Sequence, residues 1–303
     1  MSVLQPVAGE AGRLERILGR PERALPLDEP LARLAGRRIL ITGAQGSIGS
    51  AAAEILRGRA EVIETDKHVG EPALDVRVES DVKAVLEEVR PDVILHLAAA
   101  KSAPEGERDP MAALEINVIG TRNVLSHAPD GCHVVTASTC KSCEPETAYG
   151  ASKLVAERVT LNAGGSVARF YNVVESSGNV FEIWDAVPSD QPLLVTPCRR
   201  YFISLAEAVS LVIWTAVVPP ARYGFDPGNP REMRDVAADL YPERALQSVP
   251  PRRGDRIAEP LAARHERVVQ DAVPGLLRIV GAHDAFATDG RLEPAAAVRR
   301  IAP

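Results

Sequence analysis

The spacing of apolar positions along the chain changes repeatedly, and each change predicts an element. Short runs rich in aliphatic and β-branched residues at Arg38–Thr42, Glu61–Thr65, 93–97 and 166–171 have the length of strands. Helical patterns cover 50–57, 110–127 and 146–160. Strands that alternate with helices predict a mostly parallel sheet with helices on its faces, so the fold class is α/β. Residues 1–35 read instead as an arm of two short helices, 10–18 and 28–35, broken at Pro21 and Pro26. The main α/β unit is 36–172. Beyond it the periodicity weakens and Pro and Arg become more frequent, which predicts a smaller lobe over 173–303. One segment around Tyr223-Gly224-Phe225 is expected to return to the sheet as a strand near 222–227.

Composition narrows the class of molecule. A chain of 303 residues with 46% hydrophobic content can bury one large core or two smaller ones. A net charge of −6 without a basic stripe disfavours a nucleic-acid partner. The longest apolar candidate, 208–218, falls short of the roughly 18 residues a membrane helix needs. The N-terminus has no signal-peptide apolar core, so a cytoplasmic protein without membrane association is expected. Cys140 and Cys143 form a CxxC with no second pair and no histidine cluster, so no metal site is expected, and a local disulfide remains an alternative.

Candidate chemistry begins at the turn after the first strand. Gly43-Ala44-Gln45-Gly46-Ser47-Ile48-Gly49 lies between a strand and a helix, the context of a dinucleotide-binding loop. Its glycines permit a tight turn and close approach of a pyrophosphate, which the helix N-terminus attracts. The unit is therefore read as a Rossmann doubly wound sheet. Asp66 ends the next strand, where an acid suits the ribose hydroxyls of NAD and repels the extra phosphate of NADP, although Lys67 stands beside it. Asp75 and Val76 fit an adenine pocket, and the small Ala98 and Ala99 leave room for a cofactor at the third strand's end. His96 lies inside an apolar run and reads as a core histidine. Asn117, on an otherwise apolar helix pattern, needs buried hydrogen-bond partners and is structural or a relay.

The densest signal is Ser138-Thr139-Cys140-Lys141 followed by Tyr149-Gly150-Ala151-Ser152-Lys153. Tyr149 and Lys153 are i and i+4 on a helix and face the same way. A tyrosine has a free pKa of about 10, and a cation held beside it favours the phenolate. Such a phenolate could take a proton from an alcohol as hydride leaves the carbinol carbon. Only five of the 35 basic residues are lysine, at 67, 83, 101, 141 and 153, and two of them fall in this segment. Unlike arginine, lysine can give up a proton in a protein.

Taken together, these motifs resemble the extended short-chain dehydrogenase/reductases. More narrowly, they are similar to the inverting UDP-N-acetylglucosamine 4,6-dehydratases of the CapD-like polysaccharide-biosynthesis group. The resemblance runs from about residue 13 to 262 and includes, in order, HLAAAKSAP, EINVIGTRNV, RFYNVVESSGNV, RRYFISLAEAV and RRGDR. It implies an NAD-dependent nucleotide-sugar dehydratase. Tyr149 takes the 4-hydroxyl proton during oxidation at C4, Lys141 removes the C5 hydrogen, the 6-hydroxyl leaves as water, and hydride returns to C6. Lys153 would hold the nicotinamide ribose, Thr139 or Ser138 would bond near the 4-oxygen, and Lys101 lies near the cofactor. Asn172, Arg200 and Arg252 match positions that contact the sugar nucleotide. Similar proteins form dimers or hexamers, so a homo-oligomer is expected. Cys140 departs from the group's pattern, which has there the aspartic acid that protonates the departing hydroxyl; Tyr171, Ser102 and RRGDR depart as well. Alternatives are a 5,6-dehydratase that returns hydride to C4, a 4-epimerase, and a non-catalytic NAD-sensing regulator.

Overall fold

A computed structural model describes residues 8–67 and 72–281. Residues 1–7 of the expected arm and 282–303 of the expected lobe lie outside them. Two helices, α1 (Ala8–Leu18) and α2 (Asp28–Leu34), precede β1 (Arg38–Thr42). The chain continues through α3 (Ser47–Leu56), β2 (Glu61–Thr65), α4 (Glu79–Val89), β3 (Val93–His96), α5 (Ala103–Arg108), α6 (Pro110–Leu114), α7 (Gly120–His127), β4 (His133–Thr139), α8 (Ala148–Asn162) and β5 (Ser166–Phe170). There follow β6 (Asn172–Val173), α9 (Val180–Asp185), β7 (Leu193–Val195), β8 (Arg199–Arg200), β9 (Phe202–Ile203), α10 (Leu205–Thr215), β10 (Arg222–Phe225), β11 (Arg231–Glu232), α11 (Met233–Leu240), β12 (Leu246–Ser248), β13 (Glu266–Gln270) and β14 (Leu276–Gly281).

The main sheet has the order β13-β14-β10-β5-β4-β3-β1-β2. Its strands from β2 to β10 run parallel, with β1 between β2 and β3 so that Leu40 faces Ile63 on one side and Ile94 on the other. A parallel strand covered on both faces is apolar throughout, which is why Arg38–Thr42 reads as a continuous run. Ile39 and Ile41 join the core under α2, α3 and α10, while Leu40 joins the one under α4 and α7. This is a Rossmann-type doubly wound α/β fold. The chain leaves β1 toward β2 and returns on its other side at β3, which opens a crevice at the strands' C-terminal edge.

Three expectations change. The single helix over 110–127 is interrupted by a π-turn, Glu115–Ile119, that carries Asn117. Residues 266–281, assigned to the lobe with no strand expected there, form the hairpin β13–β14, which extends the main sheet beyond β10 by antiparallel pairing. The arm is also divided: α1 contributes Leu14 and Ile17 to a second core with Phe181, Trp184, Leu193 and Val236 of the lobe, while Leu31 and Leu34 of α2 join the sheet's core.

Candidate active site

The glycine turn is packed too closely for side chains at Gly43 and Gly49. Gly43 has φ +72°, and a Cβ there would lie 2.6 Å from the Ala98 amide nitrogen. A Cβ on Gly49 would lie 2.4 Å from the Gly43 carbonyl oxygen. This brings the strand ends of β1 and β3 together. The N-cap of α3 is Gly46, which offers no side chain to the first amides of the helix, so that N-terminus can receive a phosphate. Asp66 accepts a hydrogen bond from the Gln45 amide at 3.2 Å, which sets its carboxylate beside the loop. A dinucleotide fits this cradle. Ser47 accepts a bond from the Ser177 amide at 3.1 Å, and Lys101 donates to the Ser177 carbonyl and hydroxyl at 3.0 and 2.9 Å. A loop from beyond β6 therefore touches both cofactor-side segments.

Asn117 accepts from the Ala100 amide at 2.9 Å and donates to the Ala100 carbonyl and the Ser152 hydroxyl. It ties the end of β3 to α8. His96 is buried between Thr42 and Thr121, and burial pushes its imidazole down to about 3. Asp75 sits at the rim with its carboxylate taken by Arg77, which holds it below the usual range. Val76 packs under α7, and a Cβ on Gly120 would lie 2.6 Å from its side chain.

The second half of the site is the turn after β4. Thr147 caps α8 through the Gly150 amide at 3.0 Å. A Cβ on Gly150 would lie 2.4 Å from the Lys141 carbonyl oxygen, so this glycine lets α8 rest against the turn. Tyr149 and Lys153 are both buried on α8. Burial lowers Lys153 to about 8, with Glu157 one helical turn further on opposing it. Tyr149 corrects an expectation. Burial raises its phenol, and the cation that opposes burial is Lys141, with the nearby Thr139 hydroxyl acting in the same direction.

Four residues singled out in the sequence converge on a carboxylate that was not. Glu259, in the irregular segment between β12 and β13, is 4% exposed. Its Oε1 lies 2.8 Å from Lys141 Nζ and 3.4 Å from Arg200 Nε. Its Oε2 accepts from Asn172 Nδ2 at 2.8 Å and from Cys140 Sγ at 3.3 Å. Lys141 also donates to Asn172 Oδ1 at 3.2 Å. Burial favours a protonated carboxyl, but Lys141 and then Arg200 outweigh it and hold Glu259 at about 2. Lys141 is in turn raised above the usual ammonium range: burial pushes it down and Glu259 pushes it up further.

Other assignments move. Ser138, expected near substrate, turns its hydroxyl to Glu157 at 2.6 Å, because that fully buried carboxylate must be surrounded by donors. Ser142, Arg169 and Arg222 bond the same carboxylate. Arg252 is not brought to the cluster; it is exposed and paired with Asp255. Cys140 and Cys143 are free thiols. They face different partners, Glu259 for Cys140 and Arg169 for Cys143, which replaces the local-disulfide alternative. Cys140 is fully buried and its thiol is raised, by burial first and then by Glu259, so it is a poor acid.

The polysaccharide biosynthesis protein family matches residues 60–280. The chain belongs to that family. It is 32% identical to the probable polysaccharide biosynthesis protein EpsC of Bacillus subtilis over 75% of its own length and 44% of the relative's, so it spans under half of that protein. It is 27% identical to the inverting UDP-N-acetylglucosamine 4,6-dehydratase of Campylobacter jejuni, over 74% of this chain and 76% of the other. The fold is similar to that of UDP-glucose 4-epimerase from Thermus thermophilus, solved with NAD, with a TM-score of 0.64 and 22% identity over 74% of this chain and 90% of that one. The family match includes the Cys140–Lys153 segment and Glu259. Glu157 was open to discovery as the next buried-face position after Tyr149 and Lys153, at successive i+4 steps. Glu259 carried no periodic signal, since its surroundings are neither helix nor strand.

Proposed function

We propose that this chain is an NAD-dependent nucleotide-sugar dehydratase acting on UDP-N-acetylglucosamine or a related nucleoside-diphosphate hexose. The observation that carries the reading is the position of Lys141. It is a third proton-handling group beside Tyr149, and C4 oxidation alone, as in an epimerase, gives it no task. When bound, the nicotinamide dinucleotide supplies a reversible hydride acceptor. The amides opening α3 would hold its pyrophosphate, Asp66 the adenosine ribose and Lys153 the nicotinamide ribose, which favours NAD over NADP. Tyr149, with Thr139 close by, would take the 4-hydroxyl proton. The resulting 4-ketone acidifies the C5 hydrogen, which Lys141 would remove. Asn172 and Arg200 border the same cluster, and an arginine suits a diphosphate. The segment beyond residue 172 is the proposed sugar-nucleotide lobe.

The burial of Cys140 keeps a second outcome in view, elimination that leaves a 5,6-alkene. Incubation with NAD and UDP-N-acetylglucosamine, followed by mass and proton spectra, tests both. Loss of one water with a C6 methyl is the expected result; vinylic C6 protons mark the 5,6-alkene; C4 inversion without loss of water refutes dehydration. Lys141→Ala should retain nicotinamide reduction on mixing with substrate and lose dehydration by about 100-fold or more.

A further inference from the structure

The dehydratase reading gives Glu259 no task, yet Glu259 organises the cluster. A buried carboxylate is costly unless its charge is met, and here two cations and two neutral donors meet it. The Glu259 side chain is wholly enclosed, whereas that of Lys141 is 22% exposed. Lys141 is therefore the member of the pair that can meet substrate, and Glu259 acts through it. An ammonium cannot abstract a hydrogen until it has lost a proton of its own. Oε1 of Glu259 lies 2.8 Å away and is buried with no hydrogen-bond partner of its own, so its lone pairs are open to that proton without solvent. The other titratable groups around the carboxylate are Arg200 from β8, Cys140 from the turn and Tyr149 from α8. At neutral pH Arg200 stays charged; burial raises the Cys140 thiol, and it raises the Tyr149 phenol against the pull of Lys141. The pair carries one exchangeable proton, which rests on Lys141 because each charge stabilises the other; its passage to Glu259 is an uphill step within the elimination.

We propose that Glu259 is a positioning residue that takes the Lys141 proton, so that the two side chains work as a one-proton pair in the elimination. This rests on the dehydratase reading. The steps balance. An Nζ–H bond of Lys141 breaks as an O–H bond forms on Glu259. The freed amine pair bonds to the C5 hydrogen, and the C5–H electrons move into the 4-ketone as an enolate. The enolate expels hydroxide from C6, and the hydroxide takes a proton from the Lys141 ammonium and leaves as water. Glu259 then returns its proton to Lys141, restoring ammonium and carboxylate. The C5 hydrogen is lost with the 6-hydroxyl, and the buried Cys140 donates nothing to substrate.

The test compares dehydration of UDP-N-acetylglucosamine by wild-type protein and Glu259→Gln across about pH 6 to 8. Taking the ratio of rates cancels the shared dependence on Tyr149 and Lys153. Without the carboxylate, Lys141 must lose its proton to solvent, and its free-base fraction rises about tenfold per pH unit below its pKa. The wild-type to variant ratio should therefore fall as pH rises, by about tenfold per unit until pH reaches the variant's Lys141 pKa, which burial without Glu259 lowers, while nicotinamide reduction on mixing stays within about tenfold of wild type. A ratio that does not change with pH means a structural role only and overturns the proposal. If Glu259→Gln does not fold, Glu259→Asp decides: its ratio to wild type should be flat with pH, and a sloping ratio overturns the pair. Wild-type protein that forms no dehydrated product overturns both readings, whereas wild-type dehydration with a flat Glu259→Gln ratio overturns only the role of Glu259.

Discussion

At the scale of single residues, burial decides what Cys140 can do. Cys140, Cys143 and Cys198 are almost wholly enclosed. Burial raises the Cys143 thiol to about 12 and raises Cys140 as well. The thiolate is the reactive form of cysteine, so a CxxC in this setting is inert. Native protein treated with a thiol-specific disulfide reagent should release none of these three thiols until it unfolds, with the release rate following the unfolding rate; rapid stoichiometric reaction at any one of them in native protein would refute this. The same enclosure turns Cys140 into a hydrogen-bond donor to Glu259, beside Lys141, whose side chain is 22% exposed.

At the scale of elements, two close approaches build the site, and both depend on glycine. The β1–α3 turn brings Gly43 and Gly49 against backbone, while a Cβ on Gly46 would meet only the Gly43 carbonyl oxygen, at 3.3 Å. Gly49→Ala should therefore cost about 1–3 kcal/mol of stability, the range for overpacking. Gly46→Ala should leave the thermal midpoint nearly unchanged and weaken NAD binding about tenfold or more, because its methyl group covers the surface a pyrophosphate approaches. Calorimetric unfolding and NAD titration separate the two; equal stability loss in both variants would contradict the assignment. The second approach sets α8 on the β4 turn through Gly150. Glu157, on the same helix, holds that turn from behind through Ser138 and Ser142.

At the scale of the whole molecule, buried charge links the parts. Glu157 of α8, Arg169 of β5, Arg222 of β10 and Glu266 of β13 form one enclosed cluster that joins the helix to the far edge of the sheet. Burial opposes ionisation of Glu157, but Arg169 and Arg222 hold it at about 2, below the ordinary 4.5. Its contribution is present above pH 4.5 and is lost as pH falls toward 2. His96, depressed from 6.5 to about 3, binds a proton in the unfolded chain first. Stability should thus decline from about pH 6.5 downward by about 1.4 kcal/mol per unit from His96 alone, and more steeply below 4.5. Scanning calorimetry checks this, and His96→Asn should remove the upper part of the decline; a midpoint constant between pH 6.5 and 5 in wild type would count against it.

The sequence by itself determined the parallel strands, the glycine turn and the Tyr149–Lys153 pair, because each is a local pattern whose period or spacing follows from backbone geometry. It also named Cys140, Lys141, Asn172 and Arg200 without showing what joins them. Only the tertiary structure decided that Glu259 lies among them, that Ser138 faces Glu157 and that Arg252 stays at the surface. Those outcomes depend on which side chain fills which enclosed space, and an irregular segment more than a hundred residues away leaves no periodic trace of where it will pack.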